Sequence, residues 1–106
     1  MDRRMYVSLY NFTRERTRNL SEFETYSKKA LAAMAGHAVT LLAVYGRDEV
    51  LEGPEVEGVA ILEFASLVEA KEWYESPAYR EARDHRFRSA DYRAIIVESL
   101  GLKGNT

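Results

Sequence analysis

Residues Val59–Arg80, reading VAILEFASLVEAKEWYESPAYR, decide the fold of this 106-residue chain. Val59 to Phe64 is an apolar run carrying one charge, Glu63, and reads as a strand. The chain then turns at Ala65-Ser66 into a helix. Ser66 and Glu69 have the reciprocal spacing in which a hydroxyl and a carboxylate satisfy the free amides of a first turn. Leu67, Ala70 and Tyr74 recur at helical steps with Trp73 beside them, so one face of that helix is apolar. Ser76-Pro77 stops it and starts another, because proline is pre-shaped for the first helical position and has no amide to leave unpaired.

Working outward, Arg4–Phe12 alternates Met5, Val7 and Leu9 against Tyr6, Ser8 and Tyr10. Both sets are largely apolar or aromatic, which predicts a strand covered on both sides. Thr13–Asn19, with Arg14, Arg16 and Arg18 around Glu15, has no apolar period and reads as an exposed connection. Ser21 and Glu24 repeat the capping spacing. Phe23, Tyr26, Ala30 and Met34 then continue at helical steps, and Gly36 supplies a left-handed residue to end the helix. His37–Tyr45 is a second strand apolar on both faces. Gly46-Arg47-Asp48 marks a turn, with Val50-Leu51 as a brief returning arm. Tyr92–Ser99 is the last strand, and Gly101, Lys103, Gly104 and Asn105 read as a fraying tail.

The order strand–helix–strand–strand–helix pair–strand, joined by short right-handed connections, is the split βαβ arrangement. The expected architecture is an α+β, ferredoxin-like βαββαβ sandwich: one domain spanning residues 1–106, with a four-stranded antiparallel sheet and its helices on one face. The other face is then apolar with nothing in the chain left to cover it. An apolar sheet surface in water marks an interface, and a second copy packed sheet to sheet about a two-fold axis satisfies it.

LEFASLVEAKEWYESPAYREARDHR (Leu62–Arg86) resembles the signature of the domain-of-unknown-function family numbered thirteen-thirty, within the dimeric α+β barrel superfamily. The likeness lies in Leu62-Glu63-Phe64, Ser66, Ala70, Trp73-Tyr74, Ser76-Pro77, Tyr79 and Arg86, and extends with the flanking strands from about Met5 to Ser99. It departs at Ala65, where the family more often has proline, and at Asn11–Asn19. The resemblance implies a ferredoxin-like subunit that pairs face to face with its copy. It implies no reaction, although the wider superfamily includes cofactor-free monooxygenases and isomerases.

Composition narrows function by exclusion. A net charge of −2 provides no global positive field for nucleic acid or acidic membranes. No cysteine is present, which removes thiolate chemistry and cysteine-ligated metals. His37 and His85 are too far apart in sequence to suggest a metal site, and His85 lies four residues from Glu81, a surface-pairing distance. No phosphate-binding glycine loop or nucleophile elbow occurs. MDRRMYVSLYNF has no apolar run of about 7–15 residues behind its charges, so it does not read as a secretory signal, and the expected location is the cytoplasm. The last helix interleaves Arg80, Arg83, Arg86 and Arg88 with Glu81 and Asp84, and reads as a salt-laced exposed face.

The remaining candidates are Glu63, Trp73, Tyr79 and Arg86. A lone carboxylate in an apolar strand is shielded, and is either a base of raised pKa or an ion-pair partner, with Arg86 as its mate. Tyr79 and Arg86 are seven apart, nearly on one helix face. Trp73 and Tyr79 flank the bend, and the chain's seven tyrosines suit a planar organic ligand. These four residues are expected to converge around one partly polar cavity per subunit, which calls for no metal and no cofactor. The expected function is a homodimer binding a small molecule between sheet and helices, of the cofactor-free monooxygenase or isomerase type. The alternative is a non-catalytic dimer that binds a metabolite or a protein. Nucleic-acid binding through Arg14–Arg18 and the last helix is the weakest reading, because the balanced net charge opposes it.

Overall fold

The computed structural model describes the backbone of residues 6–102 and the side chains of residues 8–99. Seven elements follow in order: β1 (Tyr6–Thr17), α1 (Leu20–Ala32), β2 (Val39–Val44), β3 (Gly58–Phe64), α2 (Leu67–Tyr74), α3 (Pro77–Ser89) and β4 (Ala90–Leu102). The strands form one antiparallel sheet in the order β2-β3-β1-β4, so the long strand β1 and the central stretch β3 lie inside and β2 and β4 at the edges. This is the expected ferredoxin-like sandwich.

The two punctuation marks of the central stretch act as their chemistry requires. Ser66 Oγ accepts from the Glu69 amide at 3.1 Å and donates to the Glu69 carboxylate at 3.3 Å. Ser76 Oγ accepts from the Tyr79 amide and donates to the Trp73 carbonyl at 2.7 Å, with Pro77 as the first residue of α3. One hydroxyl therefore closes α2 and opens α3, which sets the bend that brings Trp73 against Tyr79.

Alternation along the strands sorts the residues into two faces. Tyr10, Phe12, Ala60, Leu62 and Phe64 are buried beneath the helices together with Tyr26, Ala70, Trp73, Tyr79 and Ala82. Leu9, Asn11, Ile61, Glu63, Ile95 and Val97 occupy the opposite face: Asn11 stands between Ile61 and Ile95, and Leu9 between Glu63 and Val97. Ile95 and Val97 are 53% and 55% exposed there.

Four expectations need correcting. Thr13–Thr17 is strand and not connection: β1 continues through Arg14 to Thr17 because β4 supplies partners at Tyr92, Asp91 and Ala90. The arginines that concealed this are neutralised by tertiary contacts. Arg18 Nε meets Asp91 at 2.9 Å, and the Arg14 guanidinium lies over the rings of Phe23 (4.1 Å) and Tyr45 (4.7 Å). The cap of α1 is Asn19, whose side chain accepts from the Glu22 amide at 3.1 Å, so Ser21 falls inside the first turn. Val50-Leu51 forms no strand, and the chain runs without regular structure from Tyr45 to Glu57. His85 pairs with Glu22 of α1 at 2.6 Å, while Glu81 pairs with Lys29 at 3.0 Å. Glu81, His85 and Arg88, which read as self-pairing along α3, thus tie α3 to α1, while Arg83 pairs with Glu75. Gly36 is left-handed (φ 84°), as expected after a helix. Gly101 belongs to β4, whereas Arg4, Met5, Lys103, Gly104 and Asn105 lie outside the described residues.

Candidate functional site

A cavity of about 200 Å³ lies between α1 and the helix-facing side of the sheet. Phe12, Tyr26, Ala30, Met34, Leu62 and Trp73 are among its walls. Leu31 of α1 and Leu41 and Val44 of edge strand β2 also line it, and all three are exposed, so the cavity opens at that edge. β2 contributes both Leu41 and Val44 because a register shift between Leu41 and Ala43 resets the alternation.

Tyr45, another wall residue, is the one described non-glycine residue with positive φ (55°). Its amide donates to the Val59 carbonyl at 2.9 Å, and its hydroxyl lies 2.6 Å from that of Tyr92. The ring takes the space above Gly58, where a Cβ would stand 2.6 Å from Tyr45 Cδ1. Glycine at 58 is therefore a condition of this ring position.

Behind the cavity wall runs a chain of polar groups inside the aromatic core. The hydroxyls of Tyr26 and Tyr79 are 2.9 Å apart, and Arg86 Nη1 donates to Tyr79 Oη at 3.0 Å. Arg86 Nη2 donates to Tyr74 Oη at 3.2 Å. Arg86 is only 3% exposed. Its guanidinium also lies 5.2–5.4 Å from the ring centres of Phe12, Phe87 and Tyr92, within the range where a cation is attracted to an aromatic face. Among the described residues no carboxylate is in ion-pair contact with it. Burial works against its charge, but the surrounding tyrosine oxygens, Tyr79 first, outweigh that and strengthen its hold on the proton.

Burial conversely holds the tyrosines neutral. It pushes the Tyr10 hydroxyl up to about 12 and raises Tyr26, Tyr45, Tyr79 and Tyr92 above the ordinary phenol value, with Tyr26 and Tyr92 moved furthest. Arg86 and the Tyr26 hydroxyl pull Tyr79 back down, so of the coupled pair Tyr26–Tyr79 the proton is held more firmly on Tyr26. Five buried side-chain donors have no hydrogen-bond partner among the described groups: Ser8 Oγ, Arg14 Nε, Arg83 Nε, Trp73 Nε1 and Arg86 Nε, the last two belonging to this aromatic core.

The four residues singled out in the sequence separate into three and one. Trp73 lines the cavity, its ring centre 4.1 Å from that of Tyr79, and Tyr79 connects onward to Arg86. Glu63 does not join them. Leu62 and Phe64 point under the helices, so alternation sends Glu63 to the open face of the sheet, with Leu9 and Thr40 as its register neighbours. The expected Glu63–Arg86 pair is thereby replaced by an arginine held among tyrosines. Tyr26 and Tyr45 are site residues that the sequence reading did not single out. The helical period placed Tyr26 on the buried stripe of α1, but no local signal connects it to Tyr79, 53 residues away. The described residues hold no cluster of three or more potential metal ligands. No helix among them is long and apolar enough to cross a membrane.

The chain's fold is shared with proteins of little sequence similarity. The protein of unknown function RPA0582 from Rhodopseudomonas palustris is 23% identical, with a TM-score of 0.70 over 94% of this chain and 86% of that one. A dimeric protein of unknown function with a ferredoxin-like fold from Bacteroides fragilis is 13% identical, with a TM-score of 0.62 over 88% and 96%. SnoaB from Streptomyces nogalater, a cofactor-independent oxygenase, is 13% identical, with a TM-score of 0.54 over 91% and 93%. No curated protein matches the chain. The family described as Domain of unknown function (DUF1330) matches residues 8–100, nearly the whole chain, and the protein belongs to that family.

Proposed function

We propose that the protein is a homodimer joined through the open sheet face, each subunit holding a small, mostly apolar organic molecule in the cavity beneath α1. Trp73 forms a wall of that site, and Tyr79 and Arg86 supply its polar end through Tyr26. The observation that carries this reading is the buried Arg86, joined through Tyr79 to the hydroxyl of Tyr26, a residue of the cavity wall, in place of a carboxylate. Keeping a charge in a core is costly unless it is paired, and a stability role alone would be met more cheaply by an apolar side chain of the same volume. A cofactor-free oxygenation or isomerisation suits such a site, because a buried hydroxyl relay beside a cation can accept charge developing on a bound organic molecule. The likeness to a cofactor-independent oxygenase agrees with that chemistry at the level of fold.

The dimer rests on the exposed apolar strip Ile95–Val97 with Leu9 and Ile61 beside it, and on the dimeric state of a protein with this fold. Pairing two such sheets buries on the order of 2,000 Å² in total. A non-catalytic binding dimer is the second reading, favoured by the fact that the hydroxyls of Tyr26 and Tyr79 already have protein partners.

The chain's single tryptophan lines the cavity, so its emission reports occupancy. One- and two-ring aromatics should shift or quench Trp73 fluorescence saturably, and Ala30→Phe, which fills the cavity, should remove the response. A response that survives Ala30→Phe unchanged places binding elsewhere and rejects the site.

A further inference from the structure

We propose that this cavity takes its ligand as an oxyanion: it favours a hydroxy-aromatic or enolisable compound in the deprotonated form, held by the Tyr26 hydroxyl, with Arg86 as a positioning residue acting through Tyr79. The inference rests on the pocket proposed above and adds which ionisation state the pocket selects.

The argument is one of donor direction and charge balance. Arg86 can only donate, so at 3.0 Å the Tyr79 oxygen is the acceptor. The hydroxyls of Tyr79 and Tyr26 are 2.9 Å apart and either can donate to the other. A hydroxyl that accepts from a cation becomes a better donor, which favours Tyr79 as the donor. In that direction Tyr26 accepts the bond and keeps its own hydrogen for a further acceptor, and Tyr26 is a residue of the cavity wall. With that direction, Arg86, Tyr79 and Tyr26 form a series of donors that ends on a residue of the cavity wall. Trp73, another wall residue of the same space, carries a buried Nε1–H that has no partner among the described groups. What such a site lacks is an acceptor, and a negatively charged one also balances Arg86, whose described neighbours are neutral hydroxyls and rings. A carboxylate or phosphate on a flexible chain fits poorly, because the other walls are apolar and aromatic. An oxygen attached directly to a planar ring, which spreads its charge into that ring, suits both requirements.

The test uses 4-nitrophenol, whose two ionisation states differ in colour, and nitrobenzene as its neutral counterpart, with the full-length wild-type protein at the phenol's own ionisation midpoint. The wild type should bind the phenolate roughly tenfold or more tightly than nitrobenzene, seen as a colour shift towards the anion on adding protein. Tyr26→Phe, which keeps the ring and the Tyr79–Arg86 bond, should abolish that preference. Arg86→Met should do the same, and Arg86→Lys should restore part of it. Equal affinity for the two compounds in the wild type, or a preference that survives both Tyr26→Phe and Arg86→Met, overturns the oxyanion inference while the pocket stands. Binding of neither compound overturns the inference and the pocket together.

Discussion

Arg86 and Tyr79 lie seven residues apart on α3, two turns along one face, and the guanidinium donates to the hydroxyl at 3.0 Å where a carboxylate was expected. Because no carboxylate is stranded by its loss, Arg86→Met should be neutral or stabilising by about 1–2 kcal/mol, the outcome typical when a buried charge gives way to an apolar side chain of similar volume. Thermal unfolding with and without 4-nitrophenol checks this. A large destabilisation of the empty protein would make Arg86 a structural residue.

Replacing Ile95 with Lys places a charge in the middle of the open sheet face, beside Asn11 and across from Ile61. Sedimentation of wild type and Ile95→Lys should show a dimer giving way to a monomer or to unfolded chain. A folded wild-type monomer at micromolar concentration would end the dimer proposal.

The raised tyrosines make a prediction about alkaline pH. Tyr10, Tyr26, Tyr45, Tyr79 and Tyr92 hold their protons more tightly folded than unfolded. Below the unfolded phenol pKa, about 10, both states are protonated and stability does not vary with these groups. Above it the unfolded chain releases protons that the native core retains. Each such tyrosine then removes about 1.4 kcal/mol of stability per pH unit until its folded pKa is reached. Circular dichroism and tyrosinate absorbance followed together should therefore change in one cooperative step above pH ~10. Gradual tyrosine ionisation with the fold intact would contradict the packing of these hydroxyls.

Helix capping separates local from tertiary information. Asn19→Ala should cost about 1 kcal/mol in chemical denaturation, and Ser21→Ala only a few tenths, because Asn19 accepts the Glu22 amide. The reverse ranking would mean that α1 starts two residues later.

Gly58→Ala should destabilise by about 1–3 kcal/mol, since the new Cβ would meet the Tyr45 ring at 2.6 Å. If Tyr45 moves to make room, the cavity changes shape with it, and aromatic probes should lose affinity. Denaturation and Trp73 fluorescence measured on the same variant check both effects.

The sequence by itself determined the elements whose signals are local. The Ser66 and Ser76 caps, Pro77 at the start of α3, the apolar strand β3 and the helical stripe of α1 are interactions between residues a few positions apart. Short-range spacing is therefore sufficient to read them, and with them the element order and fold. The same is true of the family, which the resemblance in Leu62–Arg86 suggested and whose match extends over residues 8–100.

Tertiary structure decided what depends on distant partners. Arg14–Arg18 looks like a solvated charge run until β4 supplies its ladder and Asp91, and until Phe23 and Tyr45 sandwich Arg14. The parity of β3 was visible in the sequence, but the face that α3 turns to the sheet was not, and that face separates Glu63 from Arg86. The relay Arg86–Tyr79–Tyr26 closes only when α1 packs on α3, across 53 residues of chain. A hydrogen bond constrains geometry over about 3 Å and leaves no trace in the spacing of residues that meet only after the chain has folded.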